Sequence, residues 1–294
     1  MIYISVKEFA QKQGVSETTV RNHCTAGKIE GAFKEGRAWS IPVDAVLLKS
    51  SRAEAIKKSL LEVLQEQKGK GLKKGIYHRT QVEFTYNSNR IKGTELTRDQ
   101  TRHIFETNTV GTTRGCVNVD DVIETANHFR CIDMIIENAE QVLTEESTKK
   151  LHARLKVGTS DNGKPWFNVG KYKQVSNDTD TYIACSPEEV EERMRSVFAH
   201  YQNIEVKTIE DVVELLYQFE SIRPFQDCNG RIARLILYKE CLANQLVPFF
   251  IEEEMRDEYF KGIGEWPISR ERLLKVCLKA QSDYQKVLKR HKLY

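Results

Sequence analysis

The chain has 294 residues, of which 40% are hydrophobic and 30% charged, a balance typical of a globular protein. This length predicts two domains of ordinary size. The formal net charge of +3 excludes a chain that acts as a polycation along its whole length. Any contact with nucleic acid must therefore come from a local basic patch.

The seven cysteines are scattered and form no C-x-x-C pair, which favours free thiols over a disulfide framework or a zinc site. The N-terminus meets charged residues at once, and we find neither a signal peptide nor a membrane span. These observations predict a cytoplasmic protein without a membrane partner.

Residues 1–48 are predicted to form a small first domain. Ser5 followed by Glu8 is typical of a capping box that opens a helix ending near Gln13. Ser16 is a second N-cap, and it opens a helix that ends at Gly27. The sequence thus predicts two short helices joined by a tight turn.

A short hairpin is predicted around the turn Glu35-Gly36-Arg37, and Pro42 closes it. With the two helices, this stretch resembles the winged helix-turn-helix modules of excisionase and MerR type. The resemblance implies binding of duplex DNA, for which two copies, as in a homodimer, are needed for useful affinity. Docking of a protein is the alternative, because acidic residues offset most of the basic ones. The side chains implied in DNA contact are Thr18, Thr19, Arg21, Asn22, Lys34 and Arg37.

Residues 49–75 are predicted to be a helical linker. Apolar residues between Ala53 and Leu64 recur at helical spacing. Glycines and lysines then alternate over residues 68–75, which is typical of an exposed connector.

The segment 219–234 carries the strongest chemical signal. A helix from Asp211 is stopped by Pro224, a polar loop follows at 227–230, and an apolar helix begins near Arg231. The first N–H groups of such a helix lack partners and lie at the positive end of the helix dipole, which favours phosphate. Arg231 and Arg234 add positive charge, and Asp227 could hold a divalent cation. The residues alone thus predict a nucleotide or polyphosphate site, with a capped helix bearing surface arginines as the alternative.

The order of residues in this segment resembles the Fic motif, H-P-F-x-D-G-N-G-R-x-x-R. Seven positions match, namely Pro224, Phe225, Asp227, Asn229, Gly230, Arg231 and Arg234. The resemblance implies a mainly α fold, in which residues 76–294 form an all-helical Fic (Fido) domain with a short β-hairpin flap. It also implies transfer of AMP from ATP to a serine, threonine or tyrosine hydroxyl of a target protein.

The resemblance also implies roles for single residues. Asp227 is expected to hold Mg²⁺, Asn229 to orient the loop, and Phe225 to anchor the loop in the core. The backbone amides from Cys228 to Arg231 are expected to cradle the α- and β-phosphates, with Gly230 among them. The groups expected to contact the outer phosphates are Arg231 and Arg234. The flap expected to clamp an extended target segment by strand pairing contains Lys171, Tyr172, Lys173 and Val175.

Two departures from the motif affect the chemistry. Arg223 stands where the family has the histidine that takes the proton from the target hydroxyl. Arginine stays protonated at ordinary pH, so it cannot act as this base, and losing such a base costs on the order of 10²–10⁴-fold in rate. Cys228 replaces a glycine, and if this position has positive φ, its side chain costs roughly 1–2 kcal/mol.

A third departure lies in residues 86–97, which resemble the family's inhibitory helix, S-x-x-x-E-G. The inhibitory glutamate is replaced by Lys92, which is expected to repel Arg234 and either to bind the γ-phosphate or to face solvent. Together, the departures favour an enzyme with weakened or altered catalysis. A non-catalytic, nucleotide-sensing transcriptional regulator that binds DNA, a pseudoenzyme, is the alternative. The histidines at 103, 128, 152, 200 and 291 show no metal spacing and are expected to be structural or on the surface.

Overall fold

A computed structural model describes residues 2–36, 38–47, 58–111, 116–177 and 184–293. The chain divides into two compact units, Met1–Lys57 and Lys58–Tyr294. Each unit has its own hydrophobic core.

The first unit combines two helices with a small antiparallel sheet. Its elements are β1 (Tyr3–Ser5), α1 (Val6–Gln13), α2 (Glu17–Thr25), β2 (Phe33–Glu35) and β3 (Ala38–Pro42). The strand order is β1-β3-β2, with Ile4 opposite Ile41 and Lys34 opposite Trp39. The two helices and the hairpin were predicted from the sequence and are confirmed. Strand β1 was not predicted, because three residues carry too little alternation to be recognised.

Capping and burial explain the helix pair. The Ser5 hydroxyl accepts the Glu8 N–H while the Glu8 carboxylate accepts the Ser5 N–H, the expected capping box. Gly14 ends α1 with φ +65°, a conformation that costs glycine little. Phe9 and Val20 are fully buried and fix the two helices around one core.

Among its described residues, the second unit consists of helices joined by loops and contains no strand. Its helices are α3 (Leu60–Gly69), α4 (Ile76–Lys92), α5 (Arg98–Thr107), α6 (Val119–Asn138), α7 (Glu145–Lys156), α8 (Pro187–Gln202), α9 (Ile209–Ile222), α10 (Asn229–Ala243), α11 (Arg256–Glu265) and α12 (Glu271–Arg290). Two short 3₁₀ turns lie at Ser160–Gly163 and Glu253–Met255.

Helix α10 is the centre of this unit. It packs against α9, α4, α6 and α7, and almost every residue from Arg231 to Leu242 is buried. A helix that is covered on all sides needs an apolar surface all round, and Ile232, Leu235 and Ile236 supply much of it. The start of α10 is therefore held rigidly by four neighbouring helices.

The second unit begins earlier than the sequence predicted. Leu60, Leu61 and Leu64 of α3 are buried in its core, so this helix is part of the packed unit rather than of a linker. The spacing of apolar residues is the same whether a helix packs against its own unit or against another chain. Periodicity alone therefore could not place the boundary between the linker and the second unit. The lysine- and glycine-rich stretch that follows α3 is largely exposed, as expected.

All seven cysteines are free thiols, as predicted. Among the described residues, no helix has the length and apolar character to cross a membrane. The predicted flap residues, from Lys171 to Val175, are all described, whereas residues 178–183 lie outside the described residues. No strand occurs in residues 164–177, so the hairpin stays a prediction.

Candidate phosphate-binding site at the start of helix α10

The loop between α9 and α10 is held in an unusual backbone conformation. Arg223 ends α9 with φ 48° and ψ 62°, and Cys228 precedes α10 with φ 65°. Both are left-handed conformations in which a side chain costs roughly 1–2 kcal/mol. The position that carries cysteine in place of the motif glycine thus does have positive φ. Such strain persists only where the surrounding contacts fix the loop.

Asn229 and Phe225 provide those contacts. The Asn229 side chain accepts the Phe225 N–H through Oδ1 and donates from Nδ2 to the Phe225 carbonyl oxygen, each at 2.8 Å. Phe225 is fully buried, and its ring stacks on the His152 imidazole with a centroid separation of 4.1 Å. These contacts tie the loop to the core of the unit, and the roles that the motif resemblance implies for the two residues stay predictions.

The loop presents the N-terminus of α10 to a cavity of about 270 Å³. The first backbone bond of the helix runs from the Ile232 N–H to the Cys228 carbonyl oxygen at 2.9 Å, so the N–H groups of residues 229–231 precede the helical ladder. Among the described residues, five cationic side chains and two carboxylates line this cavity: Lys92, Arg223, Arg231, Arg234 and Arg256, with Glu220 and Asp227. The arrangement suits a strongly anionic ligand.

Arg231 lies deeper than the sequence predicted. Its side chain is 1% exposed and donates to the Glu124 carboxylate of α6, with Nη1 and Oε2 2.5 Å apart. Its Nη2 also lies 2.7 Å from the Cys228 sulfur, beneath the loop. A buried guanidinium needs a counter-charge, so Arg231 lines the cavity as a group already paired with Glu124, and its contact with the outer phosphates stays a prediction.

Glu124 is the centre of a buried ion network. It is 1% exposed and contacts Lys156, with Nζ and Oε1 2.5 Å apart, as well as Arg231. Lys156 also contacts Asp161, at 2.5 Å between Nζ and Oδ2. Burial alone raises the pKa of the Glu124 carboxyl, but the neighbouring cations outweigh it and hold the pKa well below its usual range.

Lys92 belongs to the same network. Its Nζ lies 3.0 Å from Glu124 Oε2 and 3.8 Å from Asp121 Oδ1, and its side chain is 34% exposed. It therefore neither points freely into solvent nor relies on a phosphate for its counter-charge. The lysine that replaces the motif's inhibitory glutamate is balanced by a glutamate on another helix.

Arg234 is held against helix α4. Its Nε donates to Ser88 Oγ at 3.2 Å and its Nη2 to the Ser88 carbonyl oxygen at 2.9 Å. The Glu220 carboxylate lies 3.8 Å from its Nη1 and accepts a hydrogen bond from Tyr259. A ligand phosphate would therefore meet an arginine whose position is already fixed.

The described part of the site offers no evident substitute for the missing base. Arg223 lines the cavity, and its Nε is buried without a hydrogen-bond partner among the described residues. His152 is close to the loop, but its Nδ1 accepts the Gly170 N–H at 2.9 Å, so its proton is on Nε2. Burial lowers the pKa of His152 to about 3, which leaves it a weak base.

Asp227 does not form a convincing magnesium site. Its Oδ2 lies 3.7 Å from Lys156 Nζ and 3.7 Å from Arg231 Nη2, so two cations already flank the carboxylate. The neighbouring potential ligands are Glu124, whose charge is shared among three cations, and the thiol of Cys228. Mg²⁺ prefers oxygen ligands, and a thiol that burial keeps protonated is a poor substitute. The residues present therefore do not fit the expected ion.

Two of the four predicted flap residues contact the body of the unit, and the other two are exposed. Lys173 is buried, and its N–H donates to the Pro224 carbonyl oxygen at 2.9 Å, which ties the segment to the loop. Tyr172 packs against Phe225 and donates its hydroxyl to Glu145 at 2.9 Å. Lys171 and Val175 are exposed. Clamping of a target segment by these residues stays a prediction.

The residues predicted to contact DNA differ in the contacts that they already make within the first unit. Thr18, Asn22 and Lys34 are exposed, whereas Arg21 pairs with Glu17 at 3.0 Å. Thr19 is engaged in the cap of α2, where its hydroxyl lies 2.8 Å from that of Ser16. Arg37 lies outside the described residues.

Several residues of the site were not recognised from the sequence. They are Glu124 of α6, Lys156 and His152 of α7, Glu220 of α9, and Arg256 and Phe260 of α11. An arginine in the apolar pattern of α10 indicates that a buried counter-ion must exist, but not which carboxylate supplies it. His152 was set aside because it lacks metal spacing, and its stacking partner is 73 residues away in the chain.

Part of the chain matches a known protein family. Residues 142–241 match the model of the Fic/DOC family, and the chain therefore carries a Fic domain. It is 21% identical over 187 residues to the protein adenylyltransferase Fic of Nematostella vectensis and 23% identical over 185 residues to the protein adenylyltransferase fic-1 of Caenorhabditis elegans. These alignments cover 62% and 61% of this chain but only 42% and 35% of the relatives.

Solved structures confirm the predicted fold. A Fic domain-containing signalling protein from Bacteroides thetaiotaomicron has a TM-score of 0.63 at 24% identity, covering 78% of this chain and 91% of that one. Fic-1 from C. elegans has a TM-score of 0.60 at 20% identity, covering 79% and 72% respectively. The mainly helical Fic fold is thus established, together with a distant relation to protein adenylyltransferases.

Proposed function

We propose that this protein binds a nucleoside polyphosphate, with ATP as the first candidate, at the start of helix α10. The observation that supports this most is the cavity lined by the first residues of α10, whose N–H groups precede the helical ladder, and by five cationic side chains. Helix N-termini favour phosphate through both their dipole and their unpaired donors. Asn229 fixes this arrangement before a ligand arrives, so little ordering is required on binding.

The rim of the cavity offers a surface for the base. Phe260 is 43% exposed and lines the cavity, and the guanidinium of Arg256 lies 5.5 Å from its ring centroid. Stacking of a base on an aromatic side chain is worth about 1–3 kcal/mol and depends little on base identity. Phe260 is therefore proposed to hold the base while the α10 N-terminus holds the phosphates.

Transfer of AMP to a protein hydroxyl is proposed to be slow in this chain. The position that should supply a general base carries Arg223, and the nearby His152 has its Nδ1 lone pair engaged. Without proton removal from the attacking hydroxyl, the rate falls on the order of 10²–10⁴-fold, although the phosphates can still be positioned. The proposed activity is thus nucleotide binding with weak transfer to a protein target.

Incubation of the full chain with labelled ATP tests both parts of this proposal. Calorimetry is expected to show ATP binding, whereas protein labelling is expected to be weak. Arg223→His is expected to raise labelling by on the order of 10²-fold or more, because it restores a titratable base at this position. Arg223→Lys is the matched control, since it keeps the charge and adds no base near neutral pH. Equal labelling in both variants would contradict the role assigned to position 223.

A second candidate function is a nucleotide-sensing regulator that binds duplex DNA through residues 1–48. It is favoured by the exposed face of α2, where Thr18 and Asn22 are accessible, and by Lys34 on β2. We propose that DNA binding is weak for one copy and stronger for two. A mobility-shift titration at low and moderate salt tests this, with Asn22→Ala and Lys34→Ala expected to weaken the shift. No shift of any duplex at low salt would exclude this function.

A further inference from the structure

We propose that the phosphate site takes its ligand without a divalent metal, because Lys156 and Arg231 already neutralise Asp227. This inference rests on the proposed nucleotide binding and specifies the ligand as an uncomplexed polyphosphate. It concerns the charge at Asp227, the residue at which the motif resemblance implies Mg²⁺.

The positions of the charges support this assignment. Lys156 Nζ and Arg231 Nη2 each lie 3.7 Å from Asp227 Oδ2, and both side chains are 1% exposed. Both cations also contact the buried Glu124 carboxylate, which holds them inside the network. A divalent ion on Asp227 would have to occupy space beside two fixed positive charges.

The charge of the buried network is already balanced. Lys92, Lys156, Lys164 and Arg231 carry four positive charges, and their contacts Asp121, Glu124, Asp161 and Asp227 carry four negative ones. Adding Mg²⁺ to this cluster would leave two positive charges without a carboxylate partner in the network. Lys156 thus supplies inside the protein the charge that a metal ion would otherwise bring with the substrate.

The cavity itself also favours the metal-free ligand. Beyond the balanced network, Arg223, Arg234 and Arg256 line it against a single carboxylate, that of Glu220, among the described residues. Free ATP carries more negative charge than its magnesium complex, so the cavity attracts the free form more strongly. Inorganic triphosphate shares the same chemistry without a base and reports on the phosphate subsite alone.

The test is calorimetric titration of the full chain with ATP and with inorganic triphosphate, each in EDTA and in excess Mg²⁺. Binding is expected to be at least as tight in EDTA as in Mg²⁺, and titration with Mg²⁺ alone is expected to give no heat. Binding that requires Mg²⁺ overturns the inference but leaves the proposed nucleotide binding intact. No binding in either condition overturns both.

Two variants separate a counter-ion from a metal ligand at Asp227. Asp227→Asn is expected to keep or raise metal-free affinity, by up to about tenfold, because a negative charge beside the phosphates is removed. A metal-binding Asp227 would instead lose its Mg²⁺-dependent affinity in this variant. The Asp227 side chain is 42% exposed, so we expect Asp227→Asn to fold normally.

Lys156→Met is the complementary change. It leaves Asp227 with less compensation, so metal-free affinity is expected to fall about tenfold and added Mg²⁺ to restore part of it. Lys164→Met is the matched control, because Lys164 contacts the same Asp161 carboxylate but is 42% exposed. Equal effects of the two lysine changes, or an unchanged affinity in Lys156→Met with its melting temperature preserved, would contradict the role of Lys156.

Discussion

Replacing Glu124 by glutamine tests the buried ion network most directly. Glutamine keeps the size of the side chain but removes the charge that balances Arg231 and Lys156, both 1% exposed. Leaving buried charges without their partner typically costs about 3–5 kcal/mol, a large share of the roughly 5–15 kcal/mol that stabilises a native protein. For a unit of this size, such a loss lowers the melting temperature by about 10 °C.

The pH dependence of this loss provides a second measurement. The pKa of Glu124 is lowered in the folded state, so its contribution to stability is present above the unfolded pKa of about 4.3. That contribution disappears as the pH falls through the folded value. The difference between wild type and Glu124→Gln in urea unfolding is therefore expected to be full at pH 7 and to shrink below about pH 4.

Glu146→Gln is the matched control, because Glu146 and Lys150 form an exposed pair on α7, 3.5 Å apart. This pair is expected to contribute less than about 1 kcal/mol. If Glu124→Gln costs no more than this control at pH 7, the account of Glu124 as the counter-charge of buried cations is refuted.

Three further predictions follow from single contacts. Phe260→Ala is expected to weaken ATP binding by about tenfold or more without changing triphosphate binding, and calorimetry with both ligands measures this. Gly170→Ala is expected to destabilise the protein by about 1–3 kcal/mol in urea unfolding, since Gly170 has φ +75° and a Cβ there would lie 2.9 Å from that of Ala153. Gly163→Ala is the control, because a Cβ at Gly163 would meet open space, and its free energy of unfolding is expected to stay nearly unchanged. His152 is expected to stay neutral in an NMR titration down to about pH 4. Because the unfolded chain takes up this proton below about pH 6.5, the free energy of unfolding is expected to fall by about 3 kcal/mol between pH 6.5 and 4. A normal titration of His152 near pH 6.5 would contradict its burial.

The elements that the sequence predicted well are those fixed by local rules. Ser5 and Glu8 lie three residues apart, so the capping box of α1 is written in four consecutive positions. The motif from Pro224 to Arg234 is equally local, and its resemblance to Fic proteins is confirmed by the family match and by the solved structures. The sign of φ at Cys228 was left open by the sequence, and the structure gives φ 65°.

The features that sequence reasoning did not place correctly depend on contacts with residues distant in the chain. Leu64 could face solvent, a second copy or the core, and only the packing of α3 into the second unit decides. The same holds for Arg231, whose counter-ion Glu124 is 107 residues away. Helical periodicity tells which residues share a face, but not what that face contacts.

By itself, the sequence determined that a polar loop opens a buried helix and that an arginine stands at the position of the motif histidine, because both depend on residues adjacent in the chain. Only the tertiary structure decided how the charges around that loop are balanced. Lys92, Glu124, Lys156 and Arg231 come from four different helices, and their ionisation depends on distances of a few ångströms and on exclusion of water. Such distances exist only once the helices have packed.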